Sequence, residues 1–218
     1  MKNFNFKSWL ENFKEELINE FNEQLLYIGL QGSYARKEAN KDSDIDLVVI
    51  LNEVNTDILK RYKNIIKSMP YYDKCCGFIS GINEINHWSK SDVFQFYYET
   101  ENIYGDLKKI VSKPAKEDIK IAIKTGAENI YHSSCHAFLY ENNYVEILSN
   151  LYKMAFFILQ AKYFLEKNVY ISTKNQLLNY LKGRDKEILE VCINRDKINN
   201  QNFEDLFGLL LNWSVDLI

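Results

Sequence analysis

Two periods of apolar spacing alternate along the first hundred residues. Over residues 6–21, Trp9, Phe13, Leu17 and Phe21 recur every four positions, which predicts an amphipathic helix. The short apolar runs at 25–30 and 47–51 are bounded by turn residues and predict strands. Helical spacing returns over 57–69 with Ile58, Tyr62, Ile65 and Ile66, and Pro70 ends it. Residues 74–80 are apolar and suit a third strand, and 83–88 suit a short helix or turn. The aromatic run at 93–98 predicts another strand, because aromatic and β-branched side chains fit a pleated surface. Residues 103–105 then extend that strand or pair with it.

After Ser112-Lys113-Pro114 the pattern becomes almost continuously helical. One long helix is predicted over 116–140, packing through Ile119, Ile123, Ala127, Ile130 and Phe138. A second spans 144–167 and uses Leu148, Tyr152, Ala155, Phe156, Leu159 and Tyr163. Thr173-Lys174-Asn175-Gln176 has the form of a capping box and starts a third helix. A short helix near 186–195 and a last one through Phe203, Leu206, Leu210 and Trp213 complete a bundle. The expected division is therefore a mixed α/β (α+β) domain over 1–113 and an all-α helical bundle over 114–218.

Chemistry concentrates between the first two strands, in Gly32-Ser33 and Asp44-Ile45-Asp46. Residues i and i+2 of a strand share a face, so Asp44 and Asp46 project side by side. Two adjacent carboxylates repel unless a cation lies between them. A pair of oxygen ligands suits a hard ion such as Mg²⁺, which keeps substrate phosphate oxygens in its shell. Gly32 lets the backbone turn sharply, and Ser33 then opens a short helix whose N–H groups favour phosphate. A triphosphate bound there brings its α-phosphate toward the aspartates, and a hydroxyl attacking in line would release pyrophosphate. Arg36 and Lys37 follow this turn and are further phosphate candidates.

The chain has 218 residues with 46% hydrophobic and 26% charged content, ordinary values for a globular protein. A net charge of −3 argues against a surface that tracks a nucleic-acid backbone. It leaves room for a nucleotide and for a cationic acceptor. Cys75, Cys76, Cys135 and Cys192 show neither metal-ligand spacing nor a disulfide framework, which fits reduced thiols in the cytoplasm. The N-terminus lacks a signal-peptide apolar core, and no apolar run is long enough to span a membrane.

Gly32-Ser33 with Asp44-Ile45-Asp46 resembles the signature of the nucleotidyltransferase superfamily that includes DNA polymerase β and the antibiotic nucleotidyltransferases. The resemblance implies a small mixed sheet flanked by helices, with Mg²⁺ on Asp44 and Asp46 and a nucleoside triphosphate, ATP or another, as donor. A nucleotidyltransferase domain followed by a helical bundle is similar to the kanamycin (aminoglycoside) nucleotidyltransferases over nearly the whole chain. That family takes its general base from a glutamate on the first long helix of the second domain, which corresponds here to Glu128. Gly126-Ala127 beside it leaves room for a ligand or a close-packed neighbour, and His132 lies one turn on, where the family has a basic residue. Lys174, just inside its capped helix, faces either the cleft or water. Many superfamily members add a third carboxylate from the next strand. Here Asp73, at the entry to residues 74–80, is the sole candidate, with a turn role as its ordinary alternative. Glu99, Glu101 and Asp106 form either an anionic wall for a polycationic acceptor or a solvated strand end. The resemblance also implies a homodimer. The implied activity is AMP transfer from ATP to a small-molecule hydroxyl, with an aminoglycoside as one acceptor. The alternatives are AMPylation of a partner protein and a non-catalytic nucleotide-binding module.

Overall fold

A computed structural model of the chain describes residues 4–218. Helix α1 (Phe6–Phe21) is capped by Asn5, whose side chain accepts from Ser8 N at 3.2 Å. Strand β1 (Leu25–Gln31) follows, then the single turn α2 (Gly32–Ala35) and strand β2 (Ile45–Leu51). Helix α3 (Thr56–Ser68) starts on Asn55, whose side chain accepts from Asp57 N and Ile58 N, each at 3.0 Å. Strand β3 (Cys75–Gly81), helices α4 (Ile82–His87) and α5 (Lys90–Glu99), strand β4 (Glu101–Tyr104) and α6 (Leu107–Ile110) come next. The rest is helical: α7 (Lys116–Tyr140), α8 (Tyr144–Lys167), α9 (Lys174–Leu178), α10 (Gly183–Ile193) and α11 (Phe203–Val215).

The strands form one mixed sheet in the order β3-β2-β1-β4, with β2–β3 parallel and the other pairs antiparallel. Leu47 to Leu51 are all fully buried, so this part of β2 is covered on both faces, which is why it is an unbroken apolar run. On one face Ile45, Leu47, Val49 and Leu51 join Trp9, Phe13, Leu17 and Phe21 of α1 and Ile58 and Ile65 of α3 in a single core. Trp9 Nε1 donates to Pro70 O at 2.7 Å, which fixes the end of α3 to this layer. On the other face the rings of Phe78 (β3) and Phe96 (α5) meet edge to face at 5.3 Å.

The chain divides into two compact units, Met1–Ser89 with Phe96–Lys113, and Lys90–Gln95 with Pro114–Ile218. The change of texture at Pro114 marks one break, while α5 itself runs across the division. In the second unit α7 packs against α8, and contacts of the half-buried Asp185 tie α8, α10 and α11 together. Asp185 accepts from Trp213 Nε1 at 2.8 Å and pairs with Lys162 Nζ at 2.5 Å. The start of α5 joins this unit where Gln95 Nε2 donates to Gln160 Oε1 at 2.9 Å.

Three expectations are corrected. Residues 93–98 are helical, not a strand: Val93 and Phe94 are both buried and so is Phe96, a pattern that one half-covered strand cannot satisfy but a helix packed on two sides can. β4 therefore pairs with β1, through Gly29↔Asn102 and Leu30↔Glu101, rather than with a neighbouring strand from 93–98. On α7, Phe138 is 50% exposed and stacks on Phe203 and Phe207, while Ser134 and Ala137 occupy the buried face instead.

Candidate functional site

Gln31, the last residue of β1, pairs with Asp46 near the start of β2. The chain leaves β1 through Gly32, whose φ of +67° lies in the left-handed region that favours glycine. The turn α2 is closed by Arg36 N donating to Gly32 O at 3.1 Å and Glu38 N donating to Ser33 O at 2.8 Å. A Cβ on Gly32 would stand 1.8 Å from Asp46 Oδ2. The backbone of the turn is thus seated against the Asp46 carboxylate, in space no side chain can share. Ser33 follows, half-buried, in the first turn of α2.

Ile45 is fully buried in the core, so Asp46, the next residue of β2, projects to the opposite face, while Asp44 lies in the loop just ahead of the strand. Asp44 is exposed and Asp46 half-buried. The loop that delivers them is self-bonded: Asn40 Oδ1 accepts from Asp42 N at 2.9 Å, and Ser43 Oγ accepts from Asn40 N at 2.9 Å. Lys74 Nζ donates to Lys41 O across to the start of β3. Oxygen donors alone, beside a glycine cradle, fit Mg²⁺ better than a softer metal. Among the described residues no group of three or more His, Cys, Asp or Glu is placed to hold a metal ion.

Asp73 lies exposed in the turn Tyr72–Lys74 ahead of β3. In the parallel register Asp46 sits opposite Cys76, so a thiol and not a third carboxylate occupies the neighbouring position on this face. Cys75 pairs with Ile45 instead, and burial, aided by Asp73, pushes its thiol up to about 11.

Arg36, a phosphate candidate from the sequence, is engaged by two carboxylates. Its guanidinium donates through Nη1 to Glu99 Oε1 and through Nε to Glu38 Oε2, the latter at 3.1 Å. Glu99, at the end of α5, is drawn into this pair rather than into an anionic wall, and Asp106 caps α6 by accepting from Lys108 N at 3.1 Å. Nothing in the sequence linked Arg36 to Glu99, because the strand expected over 93–98 hid where Glu99 emerges.

In the second unit, Glu128 is 47% exposed on α7, and its ion-pair partner is Lys124 at 3.8 Å rather than His132. His132 is also exposed, with its ring 6.4 Å from that of His136. Beside Glu128 the small-residue patch receives a close neighbour: a Cβ on Gly126 would meet Ile158 Cγ1 of α8 at 2.9 Å. Lys174 opens α9, where Gln176 N donates to Thr173 Oγ1 at 3.4 Å, and its ammonium lies 4.7 Å from the centre of the Phe156 ring.

The family model described as "Nucleotidyltransferase domain" matches residues 10–128. Among solved structures, the spectinomycin adenyltransferase AAD(9) from Enterococcus faecialis, crystallised with ATP and spectinomycin, is similar with a TM-score of 0.58 and 16% identity. That likeness covers 96% of this chain and 99% of the other. A toxin-antitoxin structure with AMP-PNP is similar at a TM-score of only 0.33 and 17% identity, over 58% of this chain and 91% of that one. No curated protein matches significantly.

Proposed function

Because the chain belongs to the nucleotidyltransferase domain family and is a nucleotidyltransferase, we propose that it transfers AMP from ATP to a hydroxyl of a small molecule, with an aminoglycoside-type antibiotic as acceptor class. The observation that carries this reading is the seating of the Gly32 backbone against Asp46, with Asp44 two residues earlier in the loop that enters β2. Turn and carboxylates together would bring a triphosphate and its metal to one point. The AAD(9) structure, solved with ATP and spectinomycin and alike over 96% of this chain, supports the donor and makes spectinomycin the first acceptor to try.

The N–H groups and hydroxyl of Gly32 and Ser33 hold triphosphate oxygens. Asp44 and Asp46 would hold Mg²⁺, which when bound stabilises charge on the transferred phosphoryl group. Glu128 removes the acceptor proton as the hydroxyl oxygen bonds to the α-phosphorus. The bond to the β-phosphate oxygen breaks, and pyrophosphate leaves. His132 and Lys174 supply positive charge to the triphosphate. The proposed working form is a cytoplasmic homodimer.

Incubation with ATP, Mg²⁺ and spectinomycin, or another hydroxyl-bearing aminoglycoside, is expected to yield a drug carrying one AMP by mass spectrometry. Label on a copurifying protein, with every drug unmodified, would overturn the small-molecule acceptor.

A further inference from the structure

Arg36 directly follows the turn that would receive the triphosphate, and its side chain is only 8% exposed. Its partner Glu99 is 5% exposed and lies 63 residues further along the chain. Withdrawing both charges from water is costly, and a buried pair is weak evidence for stability as such. The residues around the pair give it another use. Thr100, next to Glu99, accepts from Gln31 Nε2 at 2.7 Å, and Gln31 is the residue paired with Asp46. Thr100 Oγ1 in turn donates to Phe96 O at 2.6 Å, and the Phe96 ring rests on Phe78 of β3. The last turn of α5 therefore grips the phosphate turn, the end of β1 and the face of β3 at once. The turn needs an external hold: Lys37, immediately after Arg36, takes a φ of +59°, which L side chains adopt rarely.

We propose that Arg36 and Glu99 are a positioning pair, in which Glu99 fixes Arg36 and Arg36 fixes the Gly32–Ala35 turn against Asp46 in the conformation that receives the triphosphate. Arg36 acts through the turn and is not itself a phosphate ligand, because two carboxylates already engage its fork. The identity of the ligand rests on the nucleotidyl-transfer reading; the ordering of the turn does not.

Hydrogen exchange over residues 31–40 and calorimetric affinity for Mg²⁺–ATP test the pair in wild type, Glu99→Gln and Arg36→Ala, with thermal melting to check folding. Glu99→Gln is expected to speed exchange over 31–40 about tenfold while β2 stays protected. It is also expected to raise the Kd for Mg²⁺–ATP about tenfold, as is Arg36→Ala. A direct phosphate role for Arg36 predicts the opposite sign for Glu99→Gln, since freeing the arginine would tighten binding. Tighter or unchanged binding, or unchanged exchange, overturns the proposal. Should Glu99→Gln fail to fold, Arg36→Lys carries the exchange test, because it keeps the charge but lacks the planar fork that engages both carboxylates; unchanged exchange over 31–40 would again overturn the proposal. A wild-type chain that binds no Mg²⁺–ATP would overturn the nucleotide reading instead, and exchange alone would then decide the positioning role.

Discussion

Gly32 and Asp46 constrain each other: the strand end sets the carboxylate, and the carboxylate leaves no volume for a Cβ on the turn. Gly32→Ala adds left-handed backbone strain of roughly 1–2 kcal/mol and displaces Asp46. The variant is expected to fold with a melting temperature lowered by several degrees. It should also lose about a hundredfold in pyrophosphate release, since misplaced reacting groups cost that much. Near-normal activity would show that the turn does not shape the site. Cys75 and Cys76 are neighbours with different fates. Cys76 is exposed, whereas burial and then Asp73 hold the Cys75 thiol well above its ordinary 9.0. Its raised value contributes stability that is complete below pH 9 and is lost as pH rises through about 11. Peptide mapping after alkylation at pH 8 should find Cys76 modified first; prior labelling of Cys75 would contradict its neutral state. The meeting of the Gly32 turn with Asp46 was legible in the sequence because both sit at the adjoining ends of two neighbouring strands. Arg36 was not, because its partners come from chain folded back from a distance.

At the scale of elements, the helices with sustained 3.6-residue patterns were readable: residues 6–21, 116–140 and 144–167 are helical as expected. The failure at 93–98 has a physical source. Val-Phe-Gln-Phe-Tyr-Tyr has high strand propensity, yet Val93 and Phe94 need burial on adjacent positions, and tertiary packing decides the outcome. The order of the sheet, with β3 parallel to β2 and β4 beside β1, depends on long-range pairing that no local pattern encodes. Gly126 records a different constraint, the close approach of α7 to Ile158 on α8. Gly126→Leu is expected to destabilise the chain by about 1–3 kcal/mol through overpacking, read as a lower denaturant midpoint at unchanged slope. No loss of stability would mean the two helices can part without cost.

At the scale of the molecule, the sequence divided the chain near Pro114, but the first turns of α5 belong with the bundle and its last turns with the sheet. A helix cannot be apportioned between units from its own residues, since the division depends on what each turn packs against. No described helix is long and apolar enough to cross a membrane. The account as a whole stands on nucleotidyl transfer at Asp44 and Asp46. The most direct measurement is pyrophosphate release from ATP and Mg²⁺ across a panel of aminoglycosides and lincosamides, with folded Asp46→Asn protein run beside the wild type. The account predicts release that depends on one drug class, vanishes on chelation of Mg²⁺, and falls at least about a thousandfold in the variant. Equal release from the Asp46→Asn protein would contradict it.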